Sequence, residues 1–562
     1  MLGPLLRHVD ETSGCIWVET TGTATVTLRA RRDPAGGPAE GAGGEHVAEG
    51  RTFAVHGHHY ALVVVDGLEP GSITPYAVHV DGETVWPPAR GAGSDCPPPV
   101  IATLKPGKPL RLAYGSCRTS VSHDEQGNKT HGVDALRALA LRMAGDGTVR
   151  WPDLVLFLGD QVYADETTDE MRAFIAARRD IDQPPGTELK DYEEYAHLYK
   201  LAWSDPMNRW LLSTLPSLMI FDDHDVRDDW NTSEAWREQM ARTSWWHDRI
   251  VGGLASYWVY QHIGNLSPAE RAEDPLWQKV AGAEDEVDLS ADLDAFAEAA
   301  DADPGHYRWS FARDIGDVRL VVADSRAARR LQDGKRSMLD DQEMAWLDGQ
   351  LRGGFRHLLV GTSLPFLLPP GLHHLEAWDE AVAAGAWGRR LARFGERLRQ
   401  GVDLEHWGAF QDGFQKVARM AVEVADGHRG PAPDTVTFLS GDVHHSYVSE
   451  VRRPPVRGRS RIVQAVCSPI RNPLPRYMRF ATAFLSYGLA GPMGTLVARS
   501  AHVPEPPFRW DKLRGPWFDN SIATLEEQDD GLLLTWQTGV VHDGDHLHPR
   551  LETIAEVVIE PH

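Results

Sequence analysis

Five apolar segments in this chain end on chemically reactive side chains, and that recurrence limits its fold more than any other feature. RLAYGSC runs into Cys117, PDLVLFLGD into Asp160, and LMIFDDHD into Asp222, Asp223 and His224. VRLVVADSR reaches Asp324, and TVTFLSGDVHHSY reaches Asp442 and His444. Near-continuous apolar runs of this kind suit strands covered on both faces. Helical patterns such as HGVDALRALALRM, DYEEYAHLYKLAWSDPMNRWLL and DDQEMAWLDGQL are interspersed with them. The alternation predicts a layered α/β fold, in which ligands bind beyond the C-terminal strand ends. A single aspartate there would serve as a helix cap; five such tips predict one shared site. FRHLLVGTS and RIVQAVCSP extend the sheet, and IATLEEQDDGLLLTWQTG closes the chain as a hairpin turning at DDG.

The first hundred residues follow another grammar. CIWVET, ATVTLRA, RTFAVHG, YALVVVDG and PYAVHVDG are short β-rich runs without a helical pattern, which predicts a small antiparallel β-sandwich over 1–101. The Pro- and Gly-dense GAGSDCPPPVIATLKPGKP reads as a linker, with a boundary near Ile101 and a second domain over 102–562. The acidic segment Ala269 to Asp303 reads as a surface insertion, either mobile or part of a lid. From Phe480 to Val497 no residue is charged. That length is at the lower limit for a bilayer span, but Gly488, Gly491, Pro492 and Gly494 interrupt it, favouring a buried loop or helical hairpin over membrane contact.

Charge excludes some partners. Lys and Arg total 57 against 81 Asp and Glu, a net charge of −24, whereas a general binder of nucleic acid or anionic membranes needs a basic face. Four cysteines and no CxxC pair exclude a disulfide scaffold and a zinc module. The opening MLGPLLRHVDETSGC has neither the basic nor the apolar region of a signal peptide, so a cytoplasmic location is expected.

A carboxylate-rich cluster suits hard cations, and a thiolate with a phenolate beside it suits a more highly charged transition metal. In GDQVY, Asp160 and Tyr163 stand three residues apart after a strand, so both side chains can reach one ion. The alternative readings are an aromatic ring packed on the sheet edge for Tyr163 and a buried apolar residue for Cys117.

Taken in order, GSC, GDQVY, FDDHD, ADSR and SGDVHHS resemble the PhoD-type alkaline phosphatases, within the calcineurin-like metallophosphoesterases. The helix bearing Gln342, Trp346 and Leu347 is similar to that family as well, and the likeness covers most of Leu104 to His562. The N-terminal sandwich looks like the family's usual leading domain. The resemblance implies a four-layer αββα core and hydrolysis of phosphate esters, monoesters or diesters, by a metal-bridged hydroxide at a ferric and calcium (Fe3+, Ca2+) centre. Cys117 stands where most of the superfamily has an Asp-x-His pair and would bind ferric iron together with Tyr163 and His444. Asp160 would bridge the metals, and Asp223 and Asp442 would bind calcium. His224 falls where a histidine contacts phosphate and could donate a proton to the leaving oxygen; its other reading is a core histidine held by Asp222 or Asp225. Two cations about 3.5–4 Å apart clamp a phosphoryl group and activate water, so the acidic surface does not forbid an anionic substrate.

Arg118 and Arg326 are candidate phosphate clamps. Their alternatives are a pair with Asp222 for Arg118 and a surface pair with Asp314 or Asp317 for Arg326. GTSLP stands where the superfamily has a metal-binding histidine; Ser363 is a poor ligand, which favours calcium at the second site. His445, adjacent to His444 on a strand, would face away, and Cys467 is expected to be a buried strand residue. The expected partner is a small-molecule phosphate ester, with no nucleic-acid scaffold. Cleft walls at Ala269–Asp303 and Arg471–Asp511 would set substrate preference. A phosphodiesterase on lipid or cell-wall polyol phosphates is the second reading, and a non-catalytic metal-binding scaffold the third. Relatives are usually exported, often through a twin-arginine signal, against the cytoplasmic reading.

Overall fold

The computed structural model describes residues 1–31, 44–89, 96–332, 335–402, 404–452, 460–475 and 490–561. The N-terminal part forms β1 (Leu2–Val9), β2 (Gly14–Thr20), β3 (Thr25–Arg31), β4 (Glu45–Arg51), β5 (Phe53–Val55), β6 (His58–Val65), β7 (Ile73–Val80), β8 (Glu83–Trp86) and β9 (Val100–Ala102). They make two antiparallel sheets, β1-β2-β6-β5 and β4-β3-β7-β8, with β9 added to β7. The stretch read as a linker therefore carries a strand, and β9 runs through the expected boundary. Ile101 is fully buried, and a Cβ on Gly14 would lie 2.7 Å from its side chain.

Downstream come β10 (Arg111–Gly115), β11 (Leu154–Leu158), β12 (Ser217–Ile220), β13 (Phe311–Ile315), β14 (Val318–Ala323), β15 (His357–Thr362), β16 (Thr435–Ser440), β17 (Ser446–Arg452), β18 (Arg461–Val466), β19 (Arg509–Trp517), β20 (Ile522–Gln528), β21 (Gly531–Val540) and β22 (Arg550–Ile559). A six-stranded sheet has the order β12-β11-β10-β20-β21-β22, and a seven-stranded sheet the order β13-β14-β15-β16-β18-β17-β19. Strands β10 to β12 are mutually parallel, as are β14, β15, β16 and β18, so within each sheet the reactive tips gather at one edge.

Side-chain alternation builds the layers. On β15, Leu359 joins the core between the sheets, whereas Leu358 and Val360 join a second core beneath the helix Gln411–Ala425. Gly361 lets the sheets close: a Cβ there would sit 3.1 Å from Leu158 of β11. The helix Ala135–Gly145 covers the six-stranded sheet, with Ala138 against Gly539 of β21. The result is the αββα arrangement preceded by antiparallel sheets.

The sandwich is sewn to this core. Arg7 on β1 is buried and donates to Gln261 O at 2.5 Å and Asn265 Oδ1 at 3.1 Å. Ala269–Asp303, expected as a surface insertion, is a folded helical segment bonded to the sandwich. It forms the helices Pro275–Ala281 and Ser290–Ala302 and completes a helix begun at Pro268. Glu286 accepts from Thr23 at 2.6 Å and pairs with His59 at 2.9 Å, and Ala54 exchanges backbone bonds of 2.8 Å with Val287 and Leu289. Leu293, Phe296, Ala297 and Ala300 supply the buried stripe, half of it alanine, which hid the periodicity in the sequence. Of the uncharged stretch, 480–489 lie outside the described residues, and the remainder belongs to the helix Ala490–Ser500. Among the described residues no helix is long and apolar enough to cross a membrane.

Candidate metal centre

Cys117, Asp160, Asp222 and Asp442 each stand two residues beyond the last residue of a strand, β10, β11, β12 and β16 respectively. The tips touch because two glycines intervene. A Cβ on Gly159, whose φ is +104°, would meet Asp222 Cβ at 2.8 Å, and one on Gly441 would overlap Ser116 Oγ. The ligand atoms of Cys117, Asp160 and His444 lie within 4.8 Å of one another, as do those of Asp160, Asp222 and Asp223. Asp160 is the corner shared by both groups. Tyr163 closes the first group, its hydroxyl 3.4 Å from Asp160 Oδ2, and the Cys117 thiol lies 3.3 Å from the same oxygen.

Backbone strain concentrates here. Cys117, Asp160, Asp442 and His444 hold φ of 57°, 42°, 64° and 51°, left-handed values that cost non-glycine residues of order 1 kcal/mol or more and cluster at functional sites. Backbone and hydroxyl contacts fix these turns: His444 N donates to Ser468 Oγ at 3.1 Å, and Asp442 N to Ser116 Oγ at 3.0 Å.

Electrostatics distinguish two sides. Burial pushes the Cys117 thiol well above its usual range, and Asp160 and Asp442 push it further. Asp160 is also driven far up, by burial and then by Asp222, Asp223 and Asp225, and its Oδ1 has no hydrogen-bond partner among the described residues. Buried oxygens this crowded need cations or protons. The donor set fits a pair of cations: thiol, phenol and imidazole with Asp160 on one side, carboxylates on the other. Burial lowers His444 to about 4, so its imidazole stays neutral and able to ligate.

Several expectations change. Arg118 does not reach Asp222: buried, it bonds Asp134 Oδ2 through Nε at 3.0 Å and Nη2 at 2.8 Å, with Ala202 O at 2.8 Å. Arg326 is no surface residue. It is fully buried among Asp222, Asp223 at 3.0 Å and Glu405 at 2.6 Å, while Asp314 pairs with Arg319. In this arrangement both guanidiniums grip carboxylates rather than open space. Asp324 caps its own turn, accepting from the backbone of Arg326, Ala327 and Ala328. His224 is held by neither Asp222 nor Asp225; its Nδ1 pairs with Asp165 Oδ1 at 2.9 Å, and its ring lies 4.8 Å from that of Tyr163. Ser363 bonds Ser325 at 2.7 Å. His445 sits in the turn between β16 and β17, with Nδ1 on Val443 O at 2.7 Å, and Cys467 is buried beside Ser521.

Sequence reasoning missed His406. It precedes a short turn, Trp407–Ala409, between β15 and β16. Its Nε2 meets Asp442 Oδ2 at 3.0 Å and its Nδ1 meets buried Glu376 at 2.7 Å. Burial alone would raise Asp442, but His406, with Arg326 and His444, outweighs it and holds the carboxyl at about 2. No spacing signal singles out this lone histidine.

Residues 140–480 match the PhoD-like phosphatase family, and residues 1–101 match a domain of unknown function, DUF7800. Among solved structures, one described as the structure of PhoD aligns with a TM-score of 0.57 at 12% identity, covering 99% of this chain and 90% of that one. A purple acid phosphatase from yellow lupin (Lupinus luteus) seeds aligns with a TM-score of 0.51 at 10% identity, covering 99% of this chain and 74% of the other. At these identities the likeness is one of fold. No curated protein sequence matches. Fold, matched family and ligand cluster define a metal-dependent phosphoester hydrolase. Because its match spans more than half the sequence, the chain belongs to the PhoD-like phosphatase family.

Proposed function

We propose that this protein hydrolyses phosphate esters at a two-cation centre, with ferric iron held by Cys117, Asp160, Tyr163 and His444, and calcium held by Asp160, Asp223 and Asp442. The observation that supports the reading is that Asp160 belongs both to the group with Cys117 and His444 and to the group with Asp222 and Asp223, where a bridging carboxylate would stand; Asp442 joins the set from the family resemblance. When bound, such cations polarise the phosphoryl oxygens and acidify water.

The chain's own residues do the rest. Asp165 fixes His224 through Nδ1, leaving Nε2 to hand a proton to the leaving oxygen. Burial would lower the His224 pKa, but Asp165 and Asp223 raise it well above the usual range, so the imidazole is kept charged for that transfer. Arg326 orients Asp222 and Asp223, and Glu376 orients Asp442 through His406. Cys117 and Asp160 are buried, whereas His224, Asp442 and His444 are partly open, so a substrate approaches from their side. The test is elemental analysis of the purified protein beside hydrolysis of p-nitrophenyl phosphate and its bis-ester, with Asp160→Ala in parallel. Iron and calcium in the parent, and loss of metal and turnover in the variant, are expected. An Asp160→Ala protein that keeps both would end the reading.

A further inference from the structure

We infer that the helix Arg389–Gly401 and the turn before it form a docking surface for anionic phospholipid membranes. In a chain of net charge −24, this helix, RRLARFGERLRQG, is strongly basic. Arg390, Arg393 and Arg397 are exposed, repeat at three- and four-residue spacing, and have no ion-pair partner among the described residues. Leu391 and Phe394 form a parallel stripe beside them, 43% and 54% exposed, and Trp387 in the preceding turn is 41% exposed.

The opposite face is committed to the protein. A Cβ on Gly395 would lie 3.0 Å from the Ala383 backbone, Arg399 is buried and faces Asp379 of the preceding helix at 3.9 Å, and Gln400 reaches Ser233 at 3.4 Å. The exposed stripes are thus presented by a fixed helix. Trp387 Nε1 donates to Ser500 O at 3.2 Å, joining the turn to the helix Ala490–Ser500, whose Leu496 is 67% exposed.

Arginines alone would serve any polyanion. Arginines alternating with exposed Phe, Leu and Trp fit a lipid interface, where cations meet headgroups and apolar side chains enter the acyl boundary. This local basic face supplies what the overall composition lacks. Ser233, to which the helix is tied, lies ten residues after Asp223, so the surface adjoins the segment that carries one side of the candidate centre.

The experiment is co-sedimentation of the full chain with phosphatidylcholine vesicles and with vesicles also containing phosphatidylglycerol, at low and high salt. Binding to the anionic vesicles that weakens with salt is expected. It should fall about tenfold or more in Arg390→Glu/Arg393→Glu/Arg397→Glu, and likewise in Leu391→Ser/Phe394→Ser, with p-nitrophenyl phosphate turnover and melting temperature unchanged. Absence of binding, equal binding to both vesicles, binding indifferent to both variants, or tighter capture of a labelled oligonucleotide would each overturn the proposal. Binding is read without turnover, so its failure leaves the hydrolytic reading intact.

Discussion

The two sides of the candidate centre are balanced in opposite ways. On one side, Cys117, Tyr163 and Asp160 are all pushed up by burial, and the contacts of the thiol are the hydroxyls of Ser116 and Ser468, Asp160 and a backbone carbonyl. On the other, His406 and Arg326 hold Asp442 low, whereas burial pushes Asp222 and Asp223 up against the pull of the Arg326 guanidinium they share. The first side keeps its thiol and phenol protons until a strongly charged cation strips them; the second already has the positive charge of Arg326 and His406 beside its carboxyls before any cation arrives. That contrast matches the proposed ferric and calcium assignment, and it can be attacked experimentally.

The largest expected effect belongs to the residue common to both sides. Asp160→Ala should lower p-nitrophenyl phosphate turnover by about 10³-fold or more and empty both positions by elemental analysis. Cys117→Ser should instead spare the proposed calcium while abolishing the proposed iron and, with it, the visible absorption that a Tyr163 phenolate on ferric iron would give. Next comes Arg326→Met, which leaves buried Asp222 and Asp223 without their guanidinium, while Glu405 keeps Arg329 at 3.2 Å, and should cost about 3–5 kcal/mol in denaturant titration. Comparable loss from Cys117→Ser would erase the contrast.

A third prediction uses pH. The unfolded chain protonates His444 near 6.5, but the folded, metal-free protein does so only near 4. Its contribution is therefore whole above 6.5 and lost as pH falls through 4, up to about 3 kcal/mol. His444→Asn should flatten that part of the stability curve relative to the parent. Asp442, held at about 2, should register only below about 4, so the two sides loosen at different acidities. The smallest effect is expected for His406→Gln. It releases Asp442 and should weaken calcium affinity by roughly 10–100-fold, measured by titration, while iron colour persists.

The sequence exposed the strand tips because each combines an apolar run with a reactive residue two positions later. It also exposed the layered architecture and the sandwich. It hid what depends on partners remote along the chain. Arg118 reads like a clamp until Asp134, at the cap of the helix Ala135–Gly145, is seen to hold it. Arg326 reads as a phosphate clamp or a surface ion pair because nothing local announces that Asp222 and Glu405 enclose it. His406 and Glu376 arise between β15 and β16, in a helical region with no strand-end pattern to mark them. Asp324 shows the converse, since it shares the strand-end pattern yet spends both oxygens on its own backbone.

The left-handed turns at Cys117, Asp160, Asp442 and His444 have a consequence for engineering. At each, glycine would relax the main chain, so a screen that rewards heat resistance alone should drift toward erasing the very side chains that bind metal. Thermostability campaigns on this scaffold need a turnover selection running alongside, or they will yield sturdier and inert molecules.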